Sequence, residues 1–277
     1  MNHIPRKRFG QHFLSDSRIA DRIVDAVGSG CDDHVLEIGP GLGVLTRRLL
    51  ERDAHLTAIE IDRDVVRRLT ETLHSDRFRL VEGDILAVDL AQLFEDVGSR
   101  ITVVSNLPYN ISTPVIEMLA ARHTLVERAV LMLQKEVADR LLAKPGSRIF
   151  GLTTLNLSLY GTCRNLFLVR PGSFSPPPKV MSRVIEISFS ETCRYDLEDK
   201  KVFRELTGTC FRQRRKMIRN TFGLYLRSRG IDSGLTTSLL EEAEIAPDAR
   251  PETVDTSSFV GLSNAVSRLL CSSEGAV

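Results

Sequence analysis

Six short apolar runs alternate with helix-period segments through the first two-thirds of the chain, and this alternation limits the fold more than any other feature of its 277 residues. The runs are His34–Ile38, Leu56–Glu60, Phe78–Glu82, Ile101–Ser105, Ala129–Leu133 and Arg183–Phe189. Their length and apolar content predict buried strands. Between them, Leu45–Arg52, Arg63–Leu73, Thr113–Ala121 and Glu136–Leu142 carry helical spacing. The pattern predicts an α/β domain, a mostly parallel sheet with helices on both faces. Beyond the last run the pattern is helical, over Glu198–Arg212, Arg214–Phe222 and Ser257–Leu270. A boundary is therefore expected near Ser190–Asp196, dividing the chain into 1–190 and 191–277.

Open parallel sheets bind ligands just beyond the carboxyl ends of their strands. The first strand is followed by Gly39-Pro40-Gly41-Leu42-Gly43, which opens a helix. Glycines there let the backbone turn sharply and let a ligand approach the main chain. A dinucleotide fingerprint would place its third glycine at position 44, which is Val44. Gly39, Gly41 and Gly43, with Glu37 ahead of them, match the methyltransferase form of the loop better. A tight strand–helix turn without a ligand is the plain alternative. Glu60 ends the second strand, where a carboxylate can accept from both ribose hydroxyls of an adenosine cofactor. Asp84 follows the third strand and can accept from an adenine amine, while Ile61 and Ile85 can pack on the adenine faces. Both acids also suit the neighbourhood of a helix cap.

Asn106-Leu107-Pro108-Tyr109 follows the fourth strand. An adenine amino nitrogen is a poor nucleophile because its lone pair is conjugated into the ring. Two acceptors aimed at its hydrogens favour a pyramidal nitrogen, and the Asn106 side-chain oxygen with a main-chain carbonyl near Leu107–Pro108 can supply them. Pro108 stiffens the turn. Tyr109 offers a face on which a flipped base can stack, a contact worth about 1–3 kcal/mol. Phe174 heads the run Ser175-Pro176-Pro177-Pro178. It is either a second stacking face held opposite Tyr109 or a buried anchor for a stiff loop.

Net charge is only +1, but it is unevenly spread. Residues 198–229 hold ten Lys or Arg against three acids, and residues 230–277 hold two against eight. This asymmetry points to a polyanionic partner. Arg6, Lys7 and Arg8 near the start, and Arg212, Arg214, Arg215, Lys216 and Arg219 on an expected helix, are the candidate RNA backbone contacts. His12 and Leu14 are placed to cover the cofactor pocket. The five cysteines have neither zinc-ligand spacing nor the even count of a disulfide framework, so no metal is expected and reduced thiols in the cytoplasm are. The start MNHIPRKRFGQHFL has no apolar run after its basic residues, which argues against a secretion signal, and no stretch has membrane-spanning length.

Taken in order, RKRFGQHFL, EIGPGLGVLT, IEIDRD, GDIL, NLPYNISTP, LMLQKEVADRL, SFSPPPKV and FRQRRKMIRN make the chain resemble the ribosomal RNA adenine dimethyltransferases from about Arg6 to Phe222. The likeness is greatest to the bacterial enzymes that modify two adjacent adenosines near the 3′ end of 16S RNA. The resemblance implies a Rossmann-like class I methyltransferase fold, with a mostly parallel seven-stranded sheet carrying one reversed strand and a small all-helical C-terminal domain that binds RNA. It implies S-adenosylmethionine as cofactor, held by His12, Leu14, Gly39, Glu60, Asp84 and Asn106, with Gly41, Gly43, Ile61 and Ile85 around it. Asn106 and Tyr109 would serve the target adenine and Phe174 would complete the stack. The implied partner is 16S rRNA in a partly assembled small subunit, which receives four methyl groups. A monomer is expected, since nothing in the sequence suggests an obligate dimer. Position 12 is His where Asn also occurs in the family, and Leu152 stands where a basic residue is usual. Rival expectations are a 23S rRNA adenine methyltransferase of the resistance type, a DNA adenine methyltransferase, whose motif usually begins Asp-Pro, and a non-catalytic ribosome-assembly factor. The last has no reason to keep all four polar cofactor contacts, Glu60, Asp84, Asn106 and the glycine-loop backbone.

Overall fold

The computed structural model describes residues 12–28 and 33–274. Arg6, Lys7 and Arg8 lie outside the described residues. The chain forms two compact units: residues up to Asp139 together with Gly161–Thr192, and Arg140–Tyr160 together with the chain from Cys193 onward.

In the first unit β1 (Phe13–Leu14) precedes α1 (Ser17–Val27). There follow β2 (His34–Ile38), α2 (Val44–Leu50), β3 (His55–Glu60), α3 (Arg63–Thr72), β4 (Phe78–Glu82), α4 (Leu90–Leu93), β5 (Ile101–Asn106), α5 (Ser112–Ala121) and β6 (Val126–Gln134). Next come α6 (Lys135–Leu141) and, in the second unit, α7 (Leu152–Ser158). The chain then returns as β7 (Gly161–Val169), β8 (Phe174–Ser175) and β9 (Ser182–Phe189). Seven strands form one sheet in the order β4-β3-β2-β5-β6-β9-β7. Neighbours pair in parallel except at β9, which is antiparallel to both β6 and β7. The mostly parallel sheet with one reversed strand is thus present. β1 and β8 make a separate two-stranded antiparallel sheet.

The central strands are apolar on both faces because helices cover both. Val35, Leu36, Val103, Val104, Ala129, Val130 and Leu131 are fully buried. Helix starts follow local chemistry: the Asp16, Asp62 and Asp89 side chains accept from the first-turn amides of α1, α3 and α4. β7 differs from the six expected strands. It is an edge strand, and most of its side chains, Thr162 and Arg164 among them, retain solvent contact, so it carries no continuous apolar run.

The second unit is helical beyond Tyr160: α8 (Lys200–Arg212), α9 (Ile218–Ser228), α10 (Thr236–Glu242) and α11 (Thr256–Glu274). Its core joins Phe203, Phe222, Tyr225 and Phe259 with Phe150 and Leu155 from the 140–160 segment. The helix expected over Arg214–Phe222 is corrected here. α8 ends at Arg212, Lys216 N donates to Gln213 O at 2.8 Å in a turn, and α9 begins at Ile218. The buried set Ile218, Phe222, Tyr225 and Leu226 has helical spacing only from 218 onward. The cationic residues before it have no apolar member with which to bury a face. Among the described residues no helix is long and apolar enough to cross a membrane.

Candidate active site

The carboxyl ends of β2, β3, β4 and β5 surround a cavity of about 360 Å³ in the first unit. The turn after β2 supplies its floor. Gly41 has φ +54°, and a Cβ added there would stand 3.0 Å from the Phe13 ring. Only glycine fits both the backbone and the ring. Gly43 has φ +77° and stands immediately before α2, and a Cβ there would meet Leu69 at 3.0 Å. Gly43 is not among the residues that line the cavity, and its place here is in the turn.

Glu60 ends β3 with little exposure, and its two oxygens accept from Gly41 N at 3.3 Å and Asp62 N at 2.9 Å. Burial pushes its carboxyl above the ordinary range, against the pull of those main-chain donors. Asp84 lies after β4, where one of its oxygens accepts from Leu86 N at 3.0 Å. Ile85 is buried against the cavity while Ile61 is 47% exposed at its rim.

Asn106 is the last residue of β5, and its Nδ2 donates to the main-chain oxygen of His12 at 2.9 Å. Leu107 N donates to Met132 O at 3.1 Å, which ties the motif to β6. The Pro108 carbonyl accepts from Ile111 N and from Ser112 Oγ, the latter at 3.1 Å. Tyr109 is half-buried, and its hydroxyl shares a hydrogen bond with the buried Ser182 at 3.1 Å. Burial raises its phenol pKa, so the ring stays neutral.

His12, Leu14, Gly39, Gly41, Glu60, Ile61, Asp84, Ile85, Asn106, Leu107, Pro108 and Tyr109 all line this cavity. Phe174 does not, and the expected stack opposite Tyr109 is absent from this arrangement. Phe174 is 4% exposed, paired with Leu14 across β1 and β8 and packed in the core that includes Val169 and Val184. Burying so large an apolar side chain gains about 1.5–3 kcal/mol, and its strand neighbour Ser175 takes the outward position. Arg212, Arg214, Arg215, Lys216 and Arg219 are all exposed in the second unit: Arg212 ends α8, Arg214, Arg215 and Lys216 lie in the turn, and Arg219 is in α9.

The family model described as ribosomal RNA adenine dimethylase matches residues 2–260. The chain belongs to this family. Among curated relatives, the ribosomal RNA small subunit methyltransferase A of Bordetella pertussis is 41% identical to this dimethylase-family chain over 264 residues, covering 95% of each chain. The protein of the same name from Pseudomonas aeruginosa is 39% identical over 269 residues, covering 96% of each. Among solved structures, a dimethyladenosine transferase from Plasmodium falciparum superimposes with a TM-score of 0.77 at 25% identity, covering 93% of this chain and 98% of that one. A 23S rRNA methyltransferase, ErmE, shares the fold with a TM-score of 0.67 at 21% identity, covering 92% and 99%.

One residue that bears on the site of this dimethylase-family chain, the buried Ser182, escapes a motif-by-motif reading, and another, Glu37, is read there as part of the glycine loop without a role of its own. Ser182 acts on Tyr109 from 73 residues away. Glu37 precedes the glycine turn but points into the cavity wall, where it accepts from Thr46 Oγ1 at 2.7 Å. Burial pushes its carboxyl from 4.5 up to about 7. Folding thus favours the protonated form, so the stability it contributes is complete below about pH 4.5 and is lost as the pH rises through 7. Glu37→Gln is expected to flatten that fall and to raise the melting temperature of the ligand-free protein at pH 8 by roughly 3 °C. Melting curves between pH 5 and 8 check this, and a variant that loses stability as steeply as the parent would refute it.

Proposed function

We propose that this chain transfers methyl groups from S-adenosylmethionine to adenine amino groups of ribosomal RNA, and that its targets are two adjacent adenosines near the 3′ end of 16S rRNA in the small subunit. The observation that carries this reading is the single cavity shared by Glu60 and Asp84 on one side and Asn106–Tyr109 on the other. A group bound at the first can hand an atom to a base bound at the second without leaving the protein. The small-subunit substrate is favoured by the names of the bacterial relatives that match end to end. It works here as a monomer in the cytoplasm.

The residues present fit the cofactor. The glycine turn admits close approach to the main chain, and Glu60 is left with lone pairs for ribose hydroxyls after accepting from Gly41 and Asp62. Asp84 keeps one oxygen for an adenine amine, with Ile61 and Ile85 for the ring faces. A cation near Glu37 would hold that buried carboxyl ionised. When bound, S-adenosylmethionine supplies an electrophilic methyl group on its sulfonium. On the acceptor side, Asn106 Oδ1 takes one hydrogen of the target amine. The Pro108 carbonyl is already occupied, so the Leu107 carbonyl takes the other. With both hydrogens held, the nitrogen lone pair is localised toward the methyl donor. Tyr109 stacks on the base, its hydroxyl steadied by Ser182. The motif carries no base, which suits a product ammonium acidic enough to lose its proton to water.

The exposed cations Arg212, Arg214, Arg215, Lys216 and Arg219 of the helical unit meet RNA phosphates in this mechanism, as do Arg6, Lys7 and Arg8. Replacing Arg214, Arg215 and Lys216 together with Ala is expected to reduce the salt slope of subunit binding by about 2. An unaltered slope would mean that these side chains face solvent in the complex. The substrate itself is tested with undermodified small subunits and naked 23S RNA offered alongside labelled cofactor, and by mass spectrometry of 16S digests from cells with and without the gene. Label in 23S RNA alone would overturn the assignment.

A further inference from the structure

His12 touches the acceptor motif in two ways and the proline loop in a third. Its carbonyl accepts from Asn106 Nδ2 at 2.9 Å. Its ring Nδ1 bonds the Pro176 carbonyl at 2.8 Å, which makes Nδ1 the protonated nitrogen, since a carbonyl only accepts. Its ring centroid lies 5.6 Å from that of Tyr109.

A primary amide is nearly symmetric in shape and opposite in chemistry at its two ends. A half-turn of the Asn106 side chain would exchange oxygen for NH2 at almost no steric cost. That exchange matters here, because the target amine presents hydrogens. Oδ1 accepts one of them, whereas an NH2 in its place would meet hydrogen with hydrogen. The His12 carbonyl can be satisfied only by Nδ2, so it selects the orientation that leaves Oδ1 for the base.

The carbonyl must itself be held still. Two register pairs, Phe13 with Ser175 and Leu14 with Phe174, anchor the strap, and Ser15 N donates to Ser173 O at 2.9 Å. His12 lies one residue beyond the last of these pairs, where the bond from its ring to Pro176 takes over. The buried Phe174 thereby serves the acceptor site indirectly, as the root of the strap.

We propose that His12 is a positioning residue for the methyl acceptor: by bonding Pro176 through its ring it fixes its own carbonyl, and through that carbonyl the polarity of the Asn106 amide. This rests on the function proposed above and assigns His12 a task distinct from holding cofactor. The side chain is the mutable part. In Asn the amide nitrogen stands as many bonds from Cβ as Nδ1 does in His, so Asn can donate to Pro176. Asp has the shape of Asn and no donor.

The test uses the full-length protein, undermodified small subunits and S-adenosylmethionine, with single-turnover transfer rates and calorimetric cofactor affinity measured for His12→Ala, His12→Asp and His12→Asn. The Ala and Asp variants are expected to transfer methyl about ten-fold more slowly, the worth of one hydrogen bond. Their cofactor affinity should stay within about three-fold of the parent. His12→Asn should stay within about two-fold of the parent rate. A role in packing alone treats Asn and Asp alike, so equal rates for those two overturn the proposal, as does a cofactor affinity in His12→Ala that falls as far as the rate. A parent protein that binds no cofactor and methylates no subunit overturns the underlying function and this inference with it.

Discussion

Asn106→Ala is expected to slow methyl transfer to small subunits by about 10²–10³-fold, the usual cost of removing one preorganised group aimed at a reacting centre. Cofactor affinity should fall by less than about ten-fold, because one hydrogen bond nets only about 0.5–1.5 kcal/mol in binding. The split follows from the position of the residue: it ends β5 on the wall shared with the glycine turn, yet its amide nitrogen is already engaged by His12. Asn106→Asp separates the two ends of the side chain. It keeps an acceptor for the amine but sets a carboxylate against the His12 carbonyl that formerly took a hydrogen. A loss of about ten-fold is expected, between the parent and the Ala variant. Single-turnover assays with labelled cofactor, paired with calorimetry, check both. A normal rate in the Ala variant would remove the amide from the chemistry altogether.

The strands that were legible in the sequence carry short apolar runs, most of them buried on both faces, although edge strand β4 was legible too with its residues in solvent contact. Ala129–Leu133 is apolar throughout, and Val35–Ile38 is apolar but for the buried Glu37, because both strands are covered on both faces. β7 pairs on one side only, so its residues answer to solvent as well as to β9, and no single period remains. α1 lies ahead of the alternation that begins at His34, although Asp16 before it and Gly28 after it are ordinary helix signals. At α8 and α9 a run of cations invites a helix by propensity, whereas the break is set by where Ile218 can first be buried.

The site divides on the same principle. Glu60, Asp84 and Asn106 are legible because a parallel strand delivers its end, and the turn just beyond it, to a known place. Long-range contacts have no such marker. Phe174 heads a stiff proline run, which suits a stacking face and a buried anchor equally, and only its pairing with Leu14 decides for the anchor. Likewise the bonds from His12 to Asn106 and from Ser182 to Tyr109 join residues 94 and 73 positions apart, and no spacing within a motif can announce them.

Glu60 makes the second large prediction, and it falls on binding. Glu60→Ala is expected to weaken S-adenosylmethionine by about 10²-fold, since hydrogen bonds to a buried charged acceptor are worth about 1.5–3 kcal/mol each. The rate at saturating cofactor should change little. Glu60→Gln will not be the mild substitution it is elsewhere. Both Glu60 oxygens already face main-chain donors, Gly41 N and Asp62 N, so whichever way a glutamine amide turns, its NH2 meets an N–H. The glutamine variant should therefore bind cofactor at least about ten-fold more weakly and also loosen the turn that Gly41 belongs to. The pH dependence has the same origin. Burial raises the Glu60 carboxyl above 4.5, and protonation removes an acceptor, so cofactor affinity in the parent should decline as acid titrates the group and stay flat in the Ala variant. Calorimetric titrations across that range decide it. Unchanged affinity with a collapsed rate would move Glu60 away from the ribose and toward the reacting atoms.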